Sequence, residues 1–181
     1  MPRIAPITGK ADVAPEHHGV VDEVVTVFGN VRGPFSIMLH SPKLAEKVIK
    51  LVGFFRDESA VEGKLRSLAI LAAVREREAA YVWSAQVGAA RRAGLREAAI
   101  DALRARSEAG LTPEELDIVR YARQLVRTNR VDQALFDTLK DRYGAQWLVE
   151  LTAAAGYFQM LGNIVNAFEV PAPPDGDKLP Q

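Results

Sequence analysis

The 181-residue chain contains no cysteine. Disulfides, thiolate metal sites and thiol catalysis are therefore excluded. Net charge is missing too: 23 Lys and Arg balance 23 Asp and Glu. No global field draws in nucleic acid or an anionic membrane, and neither is an expected partner. No apolar run reaches the roughly 18–20 residues that span a bilayer. The opening residues M-P-R-I-A-P-I-T-G-K lack the apolar centre of a secretory signal, so the expected location is cytoplasmic. Histidine is scarce, with three residues. His17 and His18 are adjacent and would diverge by about 100° on a helix, which makes a poor chelate. There is no H-x-x-x-H or Glu-x-x-His pattern, no glycine-rich phosphate loop and no G-x-S-x-G elbow. The expectation is no metal and no cofactor.

Sustained alternation of apolar and polar residues is also absent, so the chain reads as helices without strands. With 48% hydrophobic and 25% charged residues it has the composition of one ordinary globular domain. Residues 1–15 hold three prolines and no periodicity, which predicts an extended arm able to lie on a neighbouring subunit. Residues 16–170 form the predicted single helical domain, and 171–181 a flexible Pro-rich tail.

Helix boundaries are written in the caps. Ser41-Pro42 offers an N-cap followed by proline at the first helical position. Thr112-Pro113-Glu114-Glu115 spells a capping box, and Asp132 is a further N-cap. Gly94, Gly110 and Gly144 sit where helices should stop. Leu116, Val119, Ala122 and Val126 share one face. The last helix, 146–168, is apolar on most of its circumference: Trp147, Leu151, Ala155, Phe158, Leu161, Val165 and Phe168 recur every three or four residues. Such a helix is buried in the domain or against another subunit. Thr152, Gly156, Gln159, Asn163 and Asn166 make a polar and small stripe on it, facing a wet pocket or, preferably, a subunit interface. Arg75-Glu76-Arg77-Glu78 reads as a solvated helix end.

Three stretches carry a family resemblance: G-P-F-S-I-M-L-H-S-P-K-L from Gly33, K-L-R-S-L-A-I-L-A-A-V-R-E-R-E-A-A-Y-V-W-S-A-Q from Lys64, and the pair L-T-P-E-E from Leu111 with G-Y-F-Q-M-L-G-N-I-V-N-A-F from Gly156. In order and spacing the chain resembles the carboxymuconolactone decarboxylase and alkylhydroperoxidase D superfamily from about Val20 to Val170. The resemblance implies an all-α fold of seven or eight helices around a central pair spanning Lys64–Gly94. It also implies a homo-oligomer: trimer, hexamer or dimer.

The family's reactive positions are altered. Ser67 stands where members often have Glu. Ala79 and Val82 stand where the peroxidase branch has two cysteines. Where a related branch reads Y-E-W-x-x-H, this chain keeps Tyr81 and Trp83 but has Val82 and Gln86. Ala79, Val82 and Gln86 share a helical face, which now presents a methyl, an isopropyl and an amide. Gln hydrogen-bonds but does not shuttle protons near neutrality. Thiol peroxidase activity is therefore excluded.

What the resemblance then implies is a cofactor-free lyase or isomerase acting on a small organic acid or lactone. Its expected catalytic residues are His40 as proton donor, with Tyr81 and Gln86 orienting substrate. Arg32, Trp83, Val82 and Ser67 are the expected substrate-binding residues, Arg32 pairing a carboxylate. Plainer accounts stand beside these. His40 begins a helix and can bond backbone. Tyr81 and Trp83 are ordinary core aromatics. The alternative function is a non-catalytic ligand-binding or structural oligomeric member of the family.

Overall fold

Seven consecutive residues, Leu68 to Val74, are all buried. An amphipathic helix shows one face to water, so an unbroken run of this kind belongs to a central helix. It lies in α4 (Gly63–Glu76). The structure, a computed structural model, describes residues 1–180. In chain order the other helices are α1 (His18–Phe28), α2 (Pro34–Met38), α3 (Pro42–Asp57), α5 (Ala80–Arg92), α6 (Glu97–Arg104), α7 (Pro113–Thr128), α8 (Gln133–Tyr143) and α9 (Ala145–Ala167). Two 3-10 turns, Lys10–Asp12 and Pro15–His17, precede α1. There is no strand among the described residues. The all-α expectation is met, with nine α-helices among those residues where seven or eight were expected. The five-residue α2 is too short to show a period in sequence.

The chain falls into two compact units. The first holds Met1–Glu58 and Asn163–Pro171; the second holds Ser59–Gly162 and Ala172–Gln181. In the first, α3 packs against α1 and α2. The N-terminal arm is docked on this unit's own residues. Arg3 donates its backbone N–H to the Phe168 carbonyl at 2.9 Å and pairs with Glu169 at 2.7 Å. Ile7 donates to the Ser36 carbonyl at 2.8 Å.

In the second unit α4 packs against α5, α6 and α7, and α7 against α8. The capping box at Thr112 forms as its sequence predicts: the Glu115 amide donates to Thr112 Oγ1, and the Thr112 amide to the Glu115 carboxylate. Arg96 holds that carboxylate from the other side, so Glu115 stays below the usual carboxylate range although burial pushes it up. Ser41 and Asp132 occupy their N-cap positions without bonding through their side chains to the helix start. In α9, Leu151, Ala154, Ala155, Tyr157 and Leu161 are buried, as an apolar circumference requires. The small stripe points outward at Gly156 and Asn163. Thr152 instead turns to Tyr121, 2.6 Å between hydroxyls.

Candidate functional site

The candidate site lies on the α4–α5 pair of the second unit. Three residues, Arg77 to Ala79, connect the two helices. Glu78 takes a left-handed φ of 50° there, and Arg75 grips its carboxylate at 2.7 Å. The start of α4 meets the end of α5: a Cβ on Gly63 would lie 3.6 Å from that of Ala93. The pair is thus an antiparallel hairpin.

Ala79 is the N-cap of α5 and 1% exposed. Gly162 of α9 lies directly over it; a Cβ there would fall 2.8 Å from the Ala79 Cβ, closer than real carbons approach. Val82 is buried as well. The two positions where the peroxidase branch has thiols are therefore packed shut. Alanine at position 162 should show it. Glycine to alanine inside a helix ordinarily gains about 1 kcal/mol, but overpacking costs about 1–3 kcal/mol. Gly162→Ala is expected to destabilise by a net of about 1 kcal/mol, with Ala79→Gly in the same chain restoring the loss. A Gly162→Ala protein more stable to urea than the parent would show that the contact is not tight.

Ser67 on α4 and Gln86 on α5 are half-buried. Among the described residues neither side chain has a hydrogen-bond partner, so both remain available to a ligand or water. Tyr81 is buried. Trp83 is 0% exposed, and its indole N–H donates to Asp177 at 3.2 Å.

His40 and Arg32 belong to the first unit, and both are exposed. His40 Nε2 lies 2.8 Å from the Ala5 carbonyl. A carbonyl only accepts, so Nε2 carries the proton and Nδ1 is the basic nitrogen. This is the backbone-bonded histidine of the plainer account. Arg32 has no ion-pair partner among the described residues.

Two charged clusters escaped the sequence reading. The first corrects the solvated helix end. Arg75 is buried, and Glu76 has a side chain only 5% exposed, held by Arg123 at 3.3 Å and Arg127 at 2.6 Å. Burial pushes the Arg123 guanidinium below its ordinary value, with Glu76 opposing. Local sequence carried no signal for it, because the partners Arg123 and Arg127 come from α7. The second cluster is centred on Asp177, for which the proline-rich composition of the tail offered no hint. Among the described residues no three His, Asp or Glu gather as a metal would require. No described helix is long and apolar enough to cross a membrane.

Residues 42–124 match the model of the carboxymuconolactone decarboxylase family. No curated protein matches the chain. Two solved structures share its fold. One is a cysteine-to-alanine variant of the debrominase Bmp8 in complex with 2,3,4-tribromopyrrole; it is 16% identical with a TM-score of 0.78, over 96% of this chain and 94% of that one. Another is an uncharacterized peroxidase-related protein from Ralstonia eutropha JMP134, described as an alkylhydroperoxidase AhpD core. It is 14% identical with a TM-score of 0.77, over 96% of this chain and 93% of that one. At such identities the likeness establishes the fold.

Proposed function

We propose that this chain, a cysteine-free member of the carboxymuconolactone decarboxylase and alkylhydroperoxidase D superfamily, is a non-catalytic ligand-binding member that takes a small organic acid or lactone. One observation carries the reading: Ala79, at a reactive position of the resemblance, is sealed beneath Gly162. On the same helix pair, Ser67 and Gln86 keep an unpaired hydroxyl and amide at half-buried positions, able to bond a ligand oxygen but not to move a proton near neutrality. Self-association as a homo-oligomer is part of the proposal. Its support is the outward side of α9, where Val149 is 67% exposed and Ala153 and Gly156 lie open.

A second reading has its own observation. With Nε2 protonated against the Ala5 carbonyl, His40 presents an exposed basic Nδ1. That nitrogen suits a cofactor-free lyase or isomerase acting on the same substrates, with Arg32 of the same unit pairing a carboxylate.

The test is a panel of small carboxylic acids and of γ-lactones carrying a carboxylate, followed by thermal melting and by proton NMR of the compounds. A true ligand at a hundredfold excess over its Kd stabilises by about 2.7 kcal/mol. For a domain of this size that raises Tm by roughly 5–10 °C. The expected result is such a rise for at least one compound, reduced in Gln86→Ala, with every compound recovered unchanged. Turnover abolished by His40→Ala, with Tm retained, would replace the first reading with the second.

A further inference from the structure

Three donors from α5 and α6 converge on one carboxylate of the chain's own tail. Asp177 Oδ1 accepts from Trp83 Nε1 at 3.2 Å and from Arg104 Nη2 at 2.9 Å. Its Oδ2 accepts from Arg91 Nη2 at 3.2 Å. The Arg104 guanidinium lies over the Trp83 ring, 5.9 Å from its centroid. All these residues belong to the second unit.

The seat holds together without the tail. Arg91 is clamped by Glu97 through two hydrogen bonds, and Arg104 pairs with Asp101. Each arginine thus keeps a carboxylate of its own, and Asp177 is the additional acceptor. The Trp83 N–H differs: its indole is fully buried, and Asp177 is the partner it has. A buried donor without an acceptor is costly, so with the tail seated Asp177 satisfies this N–H, and once the tail leaves a ligand oxygen or water takes its place. The tail meanwhile is threaded through a narrow place. A Cβ on Gly176 would fall 1.7 Å from Ser84 Oγ and 3.0 Å from its Cβ, so a larger residue there would force the Ser84 hydroxyl to turn away. The segment before it is Pro171-Ala172-Pro173-Pro174-Asp175, with little helix of its own to hold it down.

We propose that Trp83, Arg91 and Arg104 form a seat for one carboxylate group, occupied in this state by Asp177, from which a small monocarboxylate displaces the tail. The donors set the chemistry. An indole N–H and two guanidinium N–H groups are all donors, so the ligand must be an acceptor; the seat spans two oxygens, which a carboxylate matches. Burial raises the Asp177 carboxyl, but the bonds from Arg104 and Trp83 outweigh it and hold the group below the usual carboxylate range. The seat is distinct from Ser67 and Gln86. At about 100° per residue, Arg91 lies about 140° around α5 from Gln86 and about 180° from Val82, and Trp83, about 60° from Gln86, is the member of the seat nearest to it. The proposal therefore stands whether or not a ligand binds beside Gln86.

The test uses the full chain and propionate as probe. Isothermal titration compares wild type with Asp177→Ala at constant ionic strength set with chloride. A ligand that competes with a tethered group binds more weakly by the fraction of free seat. Removing the competitor should therefore tighten propionate by about tenfold or more. Arg104→Gln added to Asp177→Ala should cancel the gain. The Trp83 indole N–H cross-peak, displaced by Asp177→Ala, should move back toward its wild-type position as propionate is added. If Asp177→Ala does not fold, Asp177→Asn leaves a weaker neutral acceptor and should show a smaller gain in the same direction. A folded variant with no saturable gain in propionate binding would overturn the seat and leave a simple tether. Binding that survives Arg104→Gln but is lost in Gln86→Ala would place the acid on the other face of α5 and overturn it equally.

Discussion

Glu76→Ala should destabilise the protein by about 3–5 kcal/mol, the cost of breaking a buried ion pair by removing one partner. Glu76 and Arg123 are each more than nine-tenths buried at the side chain, 3.3 Å apart. The fit is imperfect: Glu76 Oε1 and Arg123 Nη2 are both buried without a hydrogen-bond partner. Alanine at 76 leaves the Arg123 guanidinium in the interior with only the weaker field of Glu108 to offset it. Arg127 also holds Glu76, but its side chain is 59% exposed and can turn to water, so its own loss is small. The pair need not stabilise the fold for this to hold. Taking two charges out of water is expensive, and replacing both with apolar residues of similar volume is often neutral. Glu76→Met together with Arg123→Leu should therefore be far less damaging than Glu76→Ala alone. Urea denaturation of the three proteins measures both statements. A Glu76→Ala loss below about 1 kcal/mol, the range of surface ion pairs, would mean that the site is wet.

That cluster also marks where sequence reading stops. Thr112 to Glu115 was legible because a capping box is local: acceptor and donor lie three residues apart and need nothing else from the fold. The last helix was legible as buried from its apolar circumference, while the central place of Leu68 to Val74 was legible only through the family resemblance. The closure over Ala79 was not. Gly162 is 83 positions away in the chain, and a glycine in a helix does not say what passes over it. The charged residues at 75 and 76 misled because burial of a charge depends on partners from α7, and Arg123 sits in a helix whose polar residues otherwise look solvated. Of the candidate residues, Ser67, Tyr81, Val82, Trp83 and Gln86 could be placed on the central helix pair through the family resemblance. What each side chain meets there is tertiary. The tail shows it most clearly, because Asp177 reaches Arg91 and Arg104 across separations of 86 and 73 residues.

Trp83→Ala should cost about 3–5 kcal/mol, as truncation of a large buried aromatic does. Trp83 is 0% exposed and the largest fully buried side chain. Its loss removes the contacts of the ring, opens a cavity in a close-packed core and withdraws a face from Arg104. For a chain of this length the fall in Tm is on the order of 10 °C. Trp83→Phe separates the two contributions. It keeps most of the ring but deletes the N–H that Asp177 accepts, so its cost should be nearer the 1–3 kcal/mol of an unmatched polar group, about half of the alanine loss or less. The order also decides between two roles for this residue. A tryptophan whose alanine variant loses only about 1 kcal/mol, with the phenylalanine variant no different, would be one that the core does not use. Trp83 would then return as the substrate-binding aromatic its position in Y-V-W-x-x-Q first suggested. A loss near 4 kcal/mol, largely recovered by phenylalanine, would fix it as the packing centre of the hairpin. It would also explain why the tail's carboxylate meets α5 here: a core indole exposes one edge, and that edge carries a hydrogen that must be bonded.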